Sequence, residues 1–245
     1  MIAKDQPRSF PSGLLVALSS KGDGTMLDRT TGLHAPRAID NRRAFCEKVG
    51  VGYDGVVYQN IIYGEGQTYD DIVNVDASMT TEHTSDVPAD ALFTKATKVG
   101  LFLPVADCAA TVVYDPVNNY LAMVHLGRDS TVAELMRKVI DKFKAEGSNP
   151  NDLLVWMSPS AKRETYLMQW FDQKDNPMWG EFIAASEEGV YLDLPGFNKA
   201  ACLSAGILET NIHISPINTM TSDEYFSHSM GDTSGRFAVL AQMTA

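Results

Sequence analysis

Residues 100–125 read GLFLPVADCAATVVYDPVNNYLAMVH. Leu101 to Val105 is apolar and Ala110 to Tyr114 is a second apolar run. Asp115-Pro116-Val117-Asn118-Asn119 interrupts it before Tyr120 to Val124 resumes. Short apolar runs bounded by turn residues are the pattern of buried strands, so the stretch reads as two strands joined by a turn. Its ends carry the chemistry. Cys108 follows the first run beside Asp107, and His125 closes the last, just before Gly127 and a helix start. Reactive polar groups at strand ends are where α/β sheets place their sites.

The flanking sequence alternates in kind. Upstream, Gly13 to Ser19 reads as a strand, and the Gly-, Ser-, Thr- and Asp-rich segment from Ser19 to Pro36 as loop. Ala38 to Val49 reads as a helix stopped by Gly50. Val56 to Tyr63, Asp70 to Asp76 and Ala91 to Thr94 are further strands, with polar Ala77 to Asp90 an exposed connection. Downstream, Thr131-Val132-Ala133-Glu134 has capping-box spacing. Val132, Leu135, Met136, Val139, Ile140 and Phe143 share one helical face, ended by Gly147 and Pro150. Leu153 to Met157 is a strand. A helix is expected after Ser158-Pro159-Ser160, with Tyr166, Leu167, Trp170 and Phe171 on one face. Tyr191 to Leu194, a helix from Phe197 to Ala205, Ile212 to Ser215 and Phe237 to Ala241 complete the alternation. Interleaved strands and helices make the chain α/β. With no repeat or linker, residues 1–245 read as one domain.

Composition narrows the function. Hydrophobic residues are 44% and charged residues 21% of 245, which suits a globular protein with a substantial core. Lys plus Arg is 20 against 31 for Asp plus Glu, a net charge of −11 with no long basic run. Nucleic acid and anionic membranes need a concentrated cationic face, so both are excluded as partners. A small anionic substrate held by a few local Arg or Lys residues is not. Cys46, Cys108 and Cys202 form no disulfide framework, and a reducing compartment is expected. The leading MIAKDQPRSFPSG lacks a signal-peptide core. No segment approaches the roughly 18 apolar residues of a membrane span. The expected location is cytoplasmic.

Taken alone, Cys108 reads either as a small buried hydrophobe or as a thiolate ligand, and His125 either as a satisfied core histidine or as a site residue. Together they suit zinc, which at a catalytic site takes three protein ligands and one open position. Without metal they suit a cysteine hydrolase. Asp107 could orient a ligand or accept a proton, or cap a turn. Arg236 could hold an anion such as phosphate, or form a surface ion pair. His213, between Ile212 and Ile214, reads as solvated on the opposite strand face.

Several stretches resemble the laccase-domain family, known as multicopper polyphenol oxidases and as purine nucleoside phosphorylases with adenosine deaminase activity. Val105-Ala106-Asp107-Cys108 and His125-Leu126-Gly127 resemble its T-A-D-C and H-A-G motifs. Ala89-Asp90-Ala91-Leu92-Phe93-Thr94 resembles A-D-x-L-x-T, and Asn41-Arg42 an N-R pair. Ser158-Pro159-Ser160 is similar to a G-P-S turn, and Phe226-Ser227 with Thr233-Ser234-Gly235-Arg236 to closing F-S and T-G-R motifs. The resemblance implies a four-layer α/β/β/α sandwich. It also implies a His-Cys-His zinc site built on Cys108 and His125, and a purine nucleoside with phosphate as substrates. Ser227, His228 and Arg236 would then lie on the substrate side.

The sequence also departs from the pattern. Tyr63, in Ile61-Ile62-Tyr63-Gly64, stands where the resemblance implies the third metal-binding histidine, and serves at most as a weak ligand there. Arg128-Asp129 replaces Trp-Arg, His228-Ser229 replaces Tyr-Arg, and Ser19-Ser20-Lys21 replaces S-T-R. His83 is a substitute ligand to be tested. No His-x-His run supports a multicopper cluster, so zinc is favoured over copper. The expected function is a purine nucleoside phosphorylase or deaminase. The alternatives are a non-catalytic relative that binds a purine-like ligand or a protein partner, and the metal-free cysteine hydrolase.

Overall fold

The computed structural model describes residues 10–244; the N-terminal reading over residues 1–9 lies outside them. The chain opens with β1 (Leu14–Leu18), then α1 (Pro36–Lys48), β2 (Val56–Asn60), β3 (Ile72–Asn74), β4 (Val87–Pro88) and β5 (Ala91–Thr94). The central stretch is β6 (Gly100–Val105), β7 (Ala109–Asp115) and β8 (Tyr120–Leu126). A short α2 (Arg128–Val132), α3 (Leu135–Ala145), β9 (Leu154–Met157), β10 (Leu167–Met168), β11 (Ile183–Ser186) and β12 (Gly189–Leu192) follow. The chain closes with α4 (Leu194–Ser204), β13 (Ile212–Ile214) and β14 (Phe237–Met243). Among the described residues no helix is long and apolar enough to cross a membrane.

Two mixed sheets carry the fold. One has the order β1-β14-β6-β2-β4 and the other β13-β9-β7-β8-β5-β3. Side-chain alternation explains their stacking. Leu101, Leu103 and Val105 of β6 point into a core shared with Val112 and Tyr114 of β7, Leu121 and Met123 of β8, and Trp156 of β9. Phe102 points the other way, against Phe45 and Cys46 of α1. Val113, Ala122 and Val124 face Val139, Ile140 and Phe143 of α3, with Cys202 of α4. The layers are therefore helix, sheet, sheet, helix, as the resemblance implies.

Three readings of the sequence are corrected. Residues 100–125 hold three strands in two sheets: β6 belongs to the first, while β7 and β8 pair antiparallel in the second. The helix after His125 is broken, because Glu134 takes a left-handed conformation at φ 55° and α3 starts afresh at Leu135. Thr131 lies inside α2 and accepts a hydrogen bond from Asn198 Nδ2 at 2.9 Å, so the capping box does not form. Residues 162–192 form turns and a small β10-β12-β11 sheet in place of the expected helix. Phe171 is buried there beside Trp179, whereas Trp170 is 74% exposed, which no shared helical face allows.

Candidate functional site

The site lies where the core between the sheets opens. Ala106-Asp107-Cys108 carries the chain from β6 in one sheet to β7 in the other. Asp107 makes that corner at φ 72°, a left-handed conformation that Asp tolerates better than most residues. Its side chain holds the corner in place: Oδ1 accepts from the Thr219 hydroxyl at 2.7 Å, and Oδ2 from the Ser229 N–H at 2.8 Å. With both oxygens engaged, Asp107 braces the loops around the site and is not placed as a proton acceptor on the cavity wall.

His125 is the last but one residue of β8, on the inter-sheet face, opposite Ala110. Gly127, two residues on, lets Cys108 and His125 converge. A Cβ on Gly127 would stand 2.9 Å from Cys108 Sγ, 3.2 Å from His125 Cε1 and 3.5 Å from Nε2. Gly127→Ala should therefore force the thiol and the ring apart and cost about 1–3 kcal/mol. Urea melts of the variant measure this, and an unchanged midpoint would contradict the convergence.

Burial sets the protonation of both groups. It pushes the Cys108 thiol up to about 12, with the Asp107 charge adding to it. A nucleophilic cysteine needs a thiolate near neutral pH, and burial opposes one at Cys108. Burial also pushes the His125 imidazole down to about 4, against a smaller upward pull from Asp129. His125 is thus neutral, and its Nδ1 is sealed with no partner. A proton on Nδ1 would have no acceptor, so it belongs on the cavity-side Nε2.

This shift predicts an acid weakness. The unfolded chain takes up the His125 proton below its ordinary 6.5, the folded chain only below about 4. Stability therefore falls as pH drops through that window, by up to about 3 kcal/mol. Denaturation of the native chain and His125→Gln at pH 4.5 and 7.5 should show the larger acid loss in the native chain.

Cys108 and His125 line a cavity of about 540 Å³ with Arg29, Tyr63, Tyr69, Arg128, Asp129, Tyr166, His228 and Arg236. A second cavity of about 210 Å³ shares Arg29, Tyr63, Pro104 and Arg236 as its wall. Pro104 lies beyond Phe102, the last β6 residue paired with β2, where a missing N–H costs the sheet least. Another groove of about 430 Å³, beside Phe93 and Thr94, is lined by the Lys95–Glu146 ion pair and by Asp76, which accepts from Ser78.

The cavity is cationic in an acidic protein. Arg236 is only 6% exposed, and its Nη1 donates to the carbonyls of Gly235 at 2.6 Å and Asp232 at 3.3 Å. Burial, and then the neighbouring Arg29 guanidinium, hold its pKa below the ordinary arginine value. The carboxylates around it are committed elsewhere: Asp107 as described, and Asp232 to Lys21 at 3.1 Å and the Ser227 N–H. Arg29 lies 4.9 Å over the ring of Tyr63. Tyr63, half-exposed, stands edge-on to His125 with ring centroids 6.3 Å apart. Burial of its inner side and the nearby Cys108 raise its phenol pKa above the ordinary value.

Of the residues singled out in the sequence, Cys108, His125, Tyr63, His228 and Arg236 meet at this cavity. Ser227 does not line it; its Oγ accepts from the Met230 N–H within a turn. His83 is elsewhere. Its neighbours Thr81 and Glu82 are tied to the Val56 and Asp54 carbonyls, near the start of β2, whereas Tyr63 follows the end of that strand. Sequence pattern does not point to Arg29 or Tyr166 as cavity residues. Arg29 sits in a loop without periodicity, and the helical face expected to hold Tyr166 does not form.

The family model for multi-copper polyphenol oxidoreductase laccase matches residues 27–244. The chain belongs to this family. It is 25% identical over 207 residues to "Purine nucleoside phosphorylase ORF3" of Streptomyces griseus, covering 83% of this chain and 80% of that protein. Against "Purine nucleoside phosphorylase YlmD" of Bacillus subtilis it is 27% identical over 153 residues, 60% of this chain and 55% of that one. The solved structure of YlmD from Geobacillus stearothermophilus superposes with a TM-score of 0.81 at 22% identity, covering 96% and 93% of the two chains. The structure of Bacillus licheniformis YfiH gives 0.78 at 22% identity, over 94% and 92%. These structural likenesses support the fold.

The zinc site that the family resemblance implies does not fit the donors present. Among the described residues no group of three or more His, Cys, Asp or Glu side chains is placed to hold a metal ion. Cys108 and His125 are two ligands where a catalytic zinc takes three.

Proposed function

We propose that this chain is a purine nucleoside phosphorylase working on the 540 Å³ cavity. The observation that carries this reading is the Arg29–Arg236 pair. Two guanidiniums without a matching carboxylate, one of them buried, favour a bound anion, and planar forks of donors suit phosphate. The aromatic rings of Tyr63 and Tyr166 offer faces for a purine, and the volume suits a nucleoside.

In this reading a phosphate oxygen held by Arg29 and Arg236 forms a bond to C1′ of the ribose as the C1′–N9 bond breaks. The electron pair leaves with the purine, and the proton that the hydrogen phosphate gives up as it becomes the ester ends on a ring nitrogen of the base. The neutral His125, with its proton on Nε2, donates a hydrogen bond to the departing base. Products are ribose 1-phosphate and free base. Deamination needs an activated water, and the protein side chains here are poorly placed to activate one. Among the described residues Asp129 is the one carboxylate lining the cavity, and it is bound to Arg128 Nε at 2.8 Å.

The test is inosine and adenosine with and without inorganic phosphate, products separated by chromatography. Phosphate-dependent release of free base with equimolar ribose 1-phosphate supports the reading. No release, or release that ignores phosphate, overturns it.

A further inference from the structure

We propose that this site has exchanged a bound metal for arginine charge, with Tyr63 filling the space a third ligand would need, so that the chain binds no stoichiometric zinc. Metal binding alone is at stake, whichever substrate is turned over.

Four observations carry it. The first is donor count. Cys108 Sγ and His125 converge at Gly127, but among the described residues no third His, Cys, Asp or Glu is placed to join them in holding a metal, His228 on the same cavity wall included. Asp129 is tied to Arg128. Asp107 spends both carboxylate oxygens on Thr219 and Ser229. The second is the imidazole's far side. A histidine that ligates through Nε2 carries its proton on Nδ1 and donates it to an acceptor, yet His125 Nδ1 is sealed without one. Ligation would bury an unpaired N–H.

The third is the clamp on Tyr63. Its ring lies under the Arg29 guanidinium at 4.9 Å and edge-on to His125. Arg29 and His125 thereby fix the ring at the mouth of the Cys108–His125 pair. The fourth is charge. Among the described residues Arg29, Arg128 and Arg236 line the same cavity against the single carboxylate of Asp129. Cations placed there oppose a dication, and they supply the positive charge a metal would otherwise bring to an anionic substrate.

The test uses cobalt(II) and zinc directly. The purified full chain is equilibrated with each metal, desalted and analysed for metal content, and cobalt loading is followed by its thiolate charge-transfer absorption. The native chain should retain well under one metal per chain and develop no thiolate–cobalt band. Tyr63→His, which supplies a third nitrogen donor on an exposed position, should take up about one metal per chain and gain the band. Adding Cys108→Ser should abolish both. Tyr63→Phe should stay metal-free, separating a gained ligand from a lost phenol. One zinc per native chain, lost on Cys108→Ser, overturns the proposal. A Tyr63→His chain that melts like the native one and still binds nothing overturns the part given to Tyr63. Neither readout involves turnover, so a failure here is distinguishable from a failure of the phosphorylase reading.

Discussion

Arg236→Ala should lower kcat/KM for the proposed phosphorolysis by about 10²- to 10³-fold, because it removes a pre-placed cation from the point where that reading holds the phosphate charge. The loss should fall chiefly on phosphate: its KM rises, while binding of nucleoside alone changes little. Arg236→Lys should recover only a small part, since an ammonium offers a point charge in place of a fork. Stability should move by no more than about 1 kcal/mol. Removing a buried guanidinium that lacks a carboxylate partner relieves its desolvation, and this offsets the lost hydrogen bonds to the Gly235 and Asp232 carbonyls. Initial rates across a phosphate series, beside urea melts, measure both. An unchanged phosphate KM would remove Arg236 from the anion site.

Arg42→Met should cost about 3 kcal/mol of stability. Arg42 is fully buried on α1 and ties several elements together. Its Nε donates to the Met26 carbonyl at 2.6 Å and its Nη2 to the Leu33 carbonyl at 2.7 Å. The tyrosine hydroxyls of Tyr58 and Tyr53 lie at 3.1 and 3.3 Å, and the guanidinium stacks 4.0 Å over the Tyr58 ring. Methionine fills similar space but leaves those carbonyls unpaired. Met26 and Leu33 bracket the loop that presents Arg29, and the Arg29 N–H is itself pinned to the Ser234 carbonyl at 3.1 Å. Activity should therefore fall with stability, through Arg29, although Arg42 does not line the cavity. Equilibrium unfolding and kcat/KM measured at a temperature well below melting separate the two effects. A variant as stable as the native chain would show that the carbonyls find other partners.

The sequence itself determined the α/β class and most element positions, and the layering came with the family resemblance. Buried strands announce themselves as apolar runs: β1, β5, β9 and β14 fall where the sequence places them, because a strand buried on both faces is apolar along most of its length. It also determined that Cys108 and His125 stand at strand ends. Adjacent antiparallel strands such as β7 and β8 bring their ends together by register alone. Through the family resemblance the sequence also implied Tyr63 in the place of a third metal-binding histidine.

Only the tertiary structure decided the rest. The break at Glu134 follows from how α2 and α3 pack separately, Val132 toward the Phe171–Trp179 cluster and Leu135 against the sheet; helical periodicity cannot report a change of packing partner. The small β10-β12-β11 sheet depends on pairings between Leu167 and Tyr191, distant in sequence. Arg29 joins Arg236 through loop hydrogen bonds between residues far apart in the chain, the Met26 N–H to the Arg236 carbonyl at 2.8 Å and the Arg236 N–H to the Thr25 hydroxyl at 2.9 Å. Local pattern encodes which residues are buried. It does not encode which distant charges meet without a counter-ion, and that long-range meeting turns a cysteine and a histidine at strand ends into one wall of an arginine-lined cavity.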